Sequence, residues 1–386
     1  MKIGIDARMY GPNVGGGGLG RYVEQLINKL PEVDQYNRYV LFVKNNEQIH
    51  EITVQTTSQN HQESDQHFRC IQTDIHWYTL KEQIALGPLI DKQKLDLVHF
   101  PHWNVPLNMK TRFVVTIHDL ILLEQPKSAR ATTRNPLFYA IKYWAYKIVI
   151  RNAIMRSKHI IAVSEYTKRS ILKHFPNTDP NKITVIHEGL TSLPTPPILA
   201  NELSIAPPGP YLLYVGNSYP HKNLERLTRA FEQIVPDFPK LRLVLAGRTD
   251  VFFERMEQLI AESPANQSIE QIANPTDEEL SILYAGATLY VFPSLSEGFG
   301  LPPLEAMQFN VPVISSNKTS LPEILGKAAN YMNPESAEEM AIAITELLKD
   351  SQRQSTLREH ARVQIQKYDW TRMTQQIVSI YTLCAH

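Results

Sequence analysis

Short apolar runs rich in β-branched residues alternate with longer stretches of helical period along the first half of the chain. Lys2–Ile5, Tyr39–Val43, Leu97–Phe100, Phe113–Ile117 and His159–Val163 read as strands. That rhythm predicts a parallel sheet joined by crossover helices. The pattern fails between Leu190 and Pro210, where Leu193-Pro194-Thr195-Pro196-Pro197 and Pro207-Pro208-Gly209-Pro210 disfavour helix and sheet alike. It restarts with Tyr211–Val215, Leu241–Ala246, Leu289–Val291 and Val311–Ser315, each followed by a helical segment. The expected fold class is α/β, with two doubly wound, Rossmann-like domains and a deep cleft between them. Residues 1–192 form the first domain, 193–210 a linker and 211–368 the second domain. The tail from Ser336 is helical in pattern, with Thr371 placed to cap a last helix. Gln55–Gln66, almost without apolar residues, reads as a mobile surface loop.

Composition narrows the function classes. The 386 residues are 43% hydrophobic and 20% charged, ordinary for a globular chain with room for two cores. Lys plus Arg and Asp plus Glu both number 39, so no broad basic footprint marks a nucleic-acid partner, and any phosphate chemistry must be local. Cys70 and Cys384 are too few for a disulfide framework, which fits a reducing cytoplasm better than secretion. The opening Met1-Lys2-Ile3-Gly4-Ile5-Asp6-Ala7-Arg8 lacks the apolar core of a signal peptide. The nearest approach to a membrane span, Leu137–Ile154, is broken by Lys142, Lys147 and Arg151, so the protein is expected to be soluble or peripheral. Aromatic and basic residues mix in that segment, a composition that could rest on the inner face of a membrane. The plainer reading is a core helix with a basic outer face.

In doubly wound sheets ligands bind beyond the carboxyl ends of strands, so the loops there are searched for chemistry. After the first strand, Gly15-Gly16-Gly17-Gly18-Leu19-Gly20-Arg21-Tyr22 opens an amphipathic helix, and such a glycine-rich helix start can approach a phosphate. It is not a Walker loop, since no Gly-Lys-Ser/Thr follows, and a merely flexible loop is the plainer alternative. Tyr211–Val215 runs into Gly216-Asn217-Ser218-Tyr219-Pro220-His221-Lys222, where Lys222 could neutralise a diphosphate or simply be solvated. Phe292-Pro293-Ser294-Leu295-Ser296-Glu297-Gly298-Phe299-Gly300-Leu301-Pro302-Pro303-Leu304-Glu305 carries two glycines into a helix expected to begin near Pro302, with Glu305 in its first turn. Two carboxylates beside an anion site would repel it unless they point elsewhere, which suggests hydrogen bonds to sugar hydroxyls. Glu305 alone could be a surface acid balancing the helix dipole. Val114-Val115-Thr116-Ile117-His118-Asp119 delivers a histidine and an aspartate to a strand end; His99, His102 and His187-Glu188-Gly189 are weaker candidates of the same kind. No Asp-x-Asp pair follows a strand of the first domain, and neither His-x-x-x-His nor Cys-x-x-Cys occurs, so no essential metal is expected.

Taken together these stretches resemble the retaining glycosyltransferases of family 4, over nearly the whole chain. The anchor is an E-x7-E motif, Glu297 to Glu305, inside Glu-Gly-Phe-Gly-Leu-Pro-Pro-Leu-Glu-Ala-Met. Gly17-Gly18-Leu19-Gly20-Arg21-Tyr22, Thr116-Ile117-His118-Asp119, Val163-Ser164-Glu165-Tyr166-Thr167-Lys168, Pro220-His221-Lys222-Asn223, Leu245-Ala246-Gly247 and Leu321-Pro322-Glu323-Ile324 are similar as well. The resemblance implies the two-domain GT-B fold, a nucleotide-sugar donor on the second domain, a glycan or lipid-linked acceptor on the first, cleft closure, and residues 369–386 packing back on the first domain. It assigns donor contacts to Gly17, Gly18, Gly216, Asn217, Lys222, Gly247, Arg248, Glu297, Gly298, Phe299, Gly300, Leu301 and Glu305, and acceptor contacts to Arg21, Tyr22 and Asp119. Glu297 would bind the donor sugar, Glu305 the ribose and Lys222 the diphosphate, while His118 would give the transferred sugar a hydrogen bond. Retention in this family is explained by front-face attack, without an enzyme nucleophile, cofactor or essential metal. Asn217 stands where many members carry an arginine, for which Arg248 could compensate, and Ile269–Pro275 lacks the glycine usual beside the base. The sequence looks most like the mannosyltransferase-like branch of bacterial surface polysaccharide synthesis, making GDP-mannose the preferred donor and UDP-glucose, UDP-galactose or another donor the alternatives. A sugar-nucleotide epimerase or a non-transferring nucleotide-sugar-binding protein is the remaining class.

Overall fold

A computed structural model describes residues 1–11, 14, 17–57, 67–126, 136–195 and 205–385. The chain divides into two compact units, one of Met1–Leu120, Asn135–Gly189 and Asp369–His386, the other of Ile121–Arg134 and Leu190–Tyr368. The changeovers fall at Gly189 to Leu190 and Tyr368 to Asp369, and the short helix Ile121–Glu124 groups with the second unit, whereas the sequence places 1–192 in one domain.

The first unit is built on a seven-stranded sheet of β1 (Lys2–Asp6), β2 (Arg38–Val43), β3 (Phe68–Gln72), β4 (Leu97–Phe100), β5 (Phe113–Ile117), β6 (His159–Ala162) and β7 (Ile183–Val185), in the order β3-β2-β1-β4-β5-β6-β7. Every pairing is parallel, for instance Ile5 against Leu41 and His99. The central strands are buried on both faces, which is why they read as unbroken apolar runs. Helix Gly18–Val33 buries Tyr22, Val23, Leu26, Ile27 and Leu30 against this sheet, and helix Trp370–Ala385 adds Trp370, Met373, Ile377 and Tyr381 to the same core. Asp369, not Thr371, caps that last helix: its carboxylate accepts from the Arg372 amide at 2.7 Å. Gly189 is required at this junction, because a Cβ there would lie 2.4 Å from the Trp370 ring.

The second unit carries β8 (Tyr211–Val215), β9 (Arg242–Gly247), β10 (Ile269–Ala273), β11 (Leu289–Phe292), β12 (Val313–Ser316) and β13 (Ala329–Met332), ordered β10-β9-β8-β11-β12-β13 and again all parallel. Helix Asn46–Thr57 includes the first residues of the segment expected to be a loop; the rest of that segment, 58–66, and Gly15 and Gly16 lie outside the described residues.

Candidate functional site

The strand order reverses at β8 and β11, and the loops leaving their carboxyl ends bring most of the expected donor residues together. Gly216 leaves β8 with φ 150°, and any Cβ there would meet the Tyr214 hydroxyl at 2.7 Å. That hydroxyl donates to the Asn217 carbonyl at 2.8 Å, fixing the turn. Gly247, the last residue of β9, packs so closely that a Cβ would sit 2.1 Å from the Gly216 carbonyl. The two glycines therefore let one strand end nest against the next.

A single 3₁₀ turn, Pro220–Lys222, then carries Lys222 back over the sheet. Asn223 ends it at φ 66°, with its side-chain amide donating to the carbonyls of Pro293 and Pro334. Lys222 Nζ lies 2.6 Å from Glu297 Oε1 and 5.6 Å from the centre of the Phe292 ring. Both side chains of the pair are nearly buried, 15% and 10% exposed, so the contact is a partly desolvated charge pair rather than a surface bridge. In the same and the adjoining loops Asn217 Oδ1, His221 Nδ1 and Ser294 Oγ are buried without a hydrogen-bond partner among the described residues. Burial and the neighbouring Lys222 charge push His221 down to about 4, so its ring is neutral. Buried polar atoms without partners are uncommon, and three of them in these loops fit a polar ligand.

The Glu297 loop is braced from the next strand. The Glu297 amide donates to Thr319 Oγ1 at 3.1 Å, and Ser320 Oγ reaches the carbonyls of Glu297 and Phe299 at 2.9 and 3.2 Å. Thr319 holds φ 57°, unusual for a β-branched residue and a form of strain that collects at functional sites. Gly300 turns the chain at φ 102° into helix Leu301–Gln308, whose N-terminus has no side-chain cap. Its amides and the Gly298–Gly300 backbone are suited to an anion. Glu305 sits beyond the first turn, contrary to expectation, and is buried, so it is no surface acid. Its carboxylate accepts from the Tyr284 hydroxyl at 3.0 Å. Phe299 and Leu301 are buried, Phe299 edge-on to Tyr368, whereas Arg248 is exposed just past β9.

The acceptor-side residues gather separately in the first unit. Gly17, at φ 63°, opens the helix that carries Gly18, Arg21 and Tyr22. The Tyr22 ring meets the His118 ring edge-on at 4.7 Å, and its hydroxyl lies 3.0 Å from Thr116 Oγ1. His99 extends the chain of contacts, from Thr116 Oγ1 at 2.8 Å to the buried Tyr381 hydroxyl at 2.7 Å. His118 Nε2 faces the Pro101 carbonyl and Nδ1 faces Glu188, both at 2.9 Å. Burial opposes the charged ring, but the bond to Glu188 and its charge, the Pro101 carbonyl and the nearby Asp119 raise the His118 pKa above its ordinary value. Both ring nitrogens are thus engaged within the unit, and the hydrogen bond to a sugar implied by the resemblance has no free ring nitrogen here.

Tyr284, Thr319 and Ser320 carry no motif and were not singled out from the sequence; they support Glu305 and Glu297 from elements that read as ordinary helix and loop. Among the described residues no group of three His, Cys, Asp or Glu side chains is placed to hold a metal.

Known proteins similar to this chain point to one family. Residues 16–191 match the family described as Glycosyltransferase Family 4, and residues 197–364 match Glycosyl transferases group 1. The chain is 27% identical to O-antigen chain mannosyltransferase B of Escherichia coli, over 95% of this chain and 96% of that one. It is 28% identical to O-antigen chain mannosyltransferase RfbU of Salmonella typhimurium, over 78% and 77%. Among solved structures, sucrose-phosphate synthase from Thermosynechococcus elongatus shares the fold, with a TM-score of 0.76, 22% identity and coverage of 99% and 98%.

Proposed function

The chain belongs to family 4 of the glycosyltransferases and has their GT-B fold, and from that premise we propose that it transfers mannose from GDP-mannose to a hydroxyl of a growing surface polysaccharide, with retention of anomeric configuration. The O-antigen mannosyltransferases that align over most of the chain support the choice of sugar and acceptor class. The observation that carries the reading is the Lys222–Glu297 pair beside the Gly298–Gly300 turn, a cation, a carboxylate and a helix N-terminus without a side-chain cap in one place.

In this reading the diphosphate draws the Lys222 ammonium and the amides of Gly298 to Leu301. Glu297 accepts hydrogen bonds from sugar hydroxyls, and Glu305, oriented by Tyr284, accepts from the ribose. The acceptor oxygen attacks the anomeric carbon on the face from which phosphate departs. One bond forms from carbon to the acceptor oxygen, one breaks to the phosphate oxygen, and the acceptor proton passes to the departing phosphate. Lys222 and the helix-end amides stabilise the charge that develops there, where preorganised donors lower a barrier most. This chemistry requires no metal and no side-chain nucleophile, so chelation with EDTA should leave turnover unchanged.

The test is release of nucleoside diphosphate with GDP-mannose, UDP-glucose or UDP-galactose as donor and an oligosaccharide acceptor, for the wild type and Glu297→Gln. GDP release that depends on acceptor and falls about a hundredfold in the variant supports the reading. A changed sugar nucleotide without any acceptor would instead identify an epimerase, and unchanged turnover in the variant would remove Glu297 from the site.

A further inference from the structure

Beyond the carboxyl ends of β3 and β4 the first unit carries a group of aromatic rings at its surface. Tyr78 stacks on Trp103, with ring centres 5.1 Å apart and planes 20° from parallel. His102 joins them, 4.9 Å from Trp103 and 5.8 Å from Tyr78, its Nδ1 lying 3.4 Å from the Tyr78 hydroxyl. Tyr146 buttresses Trp103 edge-on at 4.7 Å. Tyr78 is nevertheless 55% exposed, and His102 and Trp103 are half-buried. The group adjoins His118, whose ring lies 6.3 Å from that of His102. Trp103 and Tyr78 stand one ring further out from the residue that the resemblance sets beside the transferred sugar.

Tyr78 is held against its own preference. It has φ 61°, a left-handed conformation that is an outlier for a bulky side chain and persists only where the surroundings fix it. The fixing group is Glu82, fully buried at the start of the π-helical turn Glu82–Leu86, a form of helix that collects at functional sites. Its Oε2 accepts from the Tyr78 amide at 2.9 Å and its Oε1 from Asn104 Nδ2 at 2.7 Å, so one carboxylate anchors both ring-bearing loops. Arg8 pairs with Glu82 at 2.6 Å and with Asp6 at 2.7 Å, all three buried. Such a cluster is a poor source of stability, because desolvation offsets the attraction. What it does here is set two aromatic side chains at a fixed place on the surface.

Flat, half-covered rings beside the reacting end of the unit suit a sugar. A pyranose carries C–H bonds on its faces and hydroxyls at its rim; a C–H face lies on the electron-rich face of an aromatic ring, while the rim keeps its hydrogen bonds. We propose that Tyr78 and Trp103 form a stacking subsite for a sugar of the acceptor behind the one that is glycosylated, so that the acceptor is a chain of sugars rather than a single one. The inference rests on the transferase reading above and names the part of the acceptor that is recognised.

The test compares methyl α-mannoside with α-linked mannose chains of two to four units as acceptors, with GDP-mannose as donor, in wild type, Tyr78→Phe and Tyr78→Gly. From one sugar to three, kcat/KM should rise about tenfold in the wild type and in Tyr78→Phe, which keeps the ring. Tyr78→Gly should lose that rise through KM, although glycine suits φ 61° and Tm should not fall. Mannotriose should also shift tryptophan emission in the wild type and not in Trp103→Phe. A rise that survives in Tyr78→Gly, or chains of every length used alike or not at all without a change in emission, would overturn the subsite. The Tm shift with GDP-mannose in the same proteins separates the two readings: retained, it leaves the transferase reading standing when the subsite fails, and absent from the wild type, it overturns both.

Discussion

Glu188→Gln isolates the charge that His118 depends on. The His118 ring stands between two acceptors, the Pro101 carbonyl and the Glu188 carboxylate, each at 2.9 Å, which favours the form with a proton on both nitrogens and raises its pKa. His99, buried, and His102, half-buried, have no carboxylate partner among the described residues; they go the other way and are pushed down to about 3. The glutamine keeps an acceptor oxygen and removes the charge, so burial should win and carry His118 below its ordinary value, as in its neighbours. The sign for stability follows. A group whose native pKa is raised stabilises fully below the unfolded value of about 6.5, and that contribution is lost as pH rises through the native value. Inside this window the native state holds proton that the unfolded chain has released, so the His118 contribution to stability falls with pH, by at most about 1.4 kcal/mol per pH unit. The depressed histidines contribute a slope of the opposite sign, from about 6.5 downward. The variant should lose that slope, and at pH 6 it should be less stable by roughly 1–3 kcal/mol, because the neutral ring can still accept a bond from the new amide. Histidine ¹H–¹⁵N spectra follow the ring, and urea unfolding across pH follows the stability. A His118 ring already singly protonated at pH 6, or an unshifted pKa in the variant, would refute the reasoning.

Three further outcomes are expected. Gly247→Ala puts a methyl 2.1 Å from the Gly216 carbonyl, so the turn must move; a loss of roughly 1–3 kcal/mol in unfolding and failure of donor to raise Tm should appear together, and a normal donor shift would argue against the close nesting. Ser320→Ala frees two buried carbonyls and should cost about 1–3 kcal/mol while weakening donor binding; an unchanged urea midpoint would show that Ser320 does not brace the Glu297 loop. His99 and His102 are neutral when native, so their contribution is complete above about 6.5 and is lost as pH falls towards 3, each by about 1.4 kcal/mol per pH unit. Urea midpoints that do not fall between pH 6.5 and 5 would contradict their neutral burial.

The sequence showed the inner strands and not the outer ones. β3, β7, β10 and β13, the four edges of the two sheets, were all missed. An edge strand is covered on fewer sides, so β3 and β10 alternate or stay half exposed, and β7 has only three residues. The donor-side residues were legible because glycines, a lysine and two glutamates follow strands in order. Their supports were not: Tyr284 lies in a helix without a motif, and Thr319 takes a left-handed conformation that its residue type disfavours. Glu188 was visible only as one weak candidate among several. Its value comes from lying 70 positions from His118 in sequence and 2.9 Å away in space, a pairing that only the folded sheet creates.

The central claim is that Lys222 and the Glu297 loop receive a nucleotide-sugar diphosphate, and donor binding tests it most directly. Titration of GDP-mannose into the wild type and Lys222→Ala, with UDP-glucose, UDP-galactose and the bare diphosphates alongside, reads affinity without an acceptor. The expected result is tight, selective binding of GDP-mannose by the wild type and an affinity at least about tenfold weaker in the variant, the size of one charge-assisted contact to phosphate. Equal affinity in both proteins, or no binding of any donor by the wild type, would contradict it.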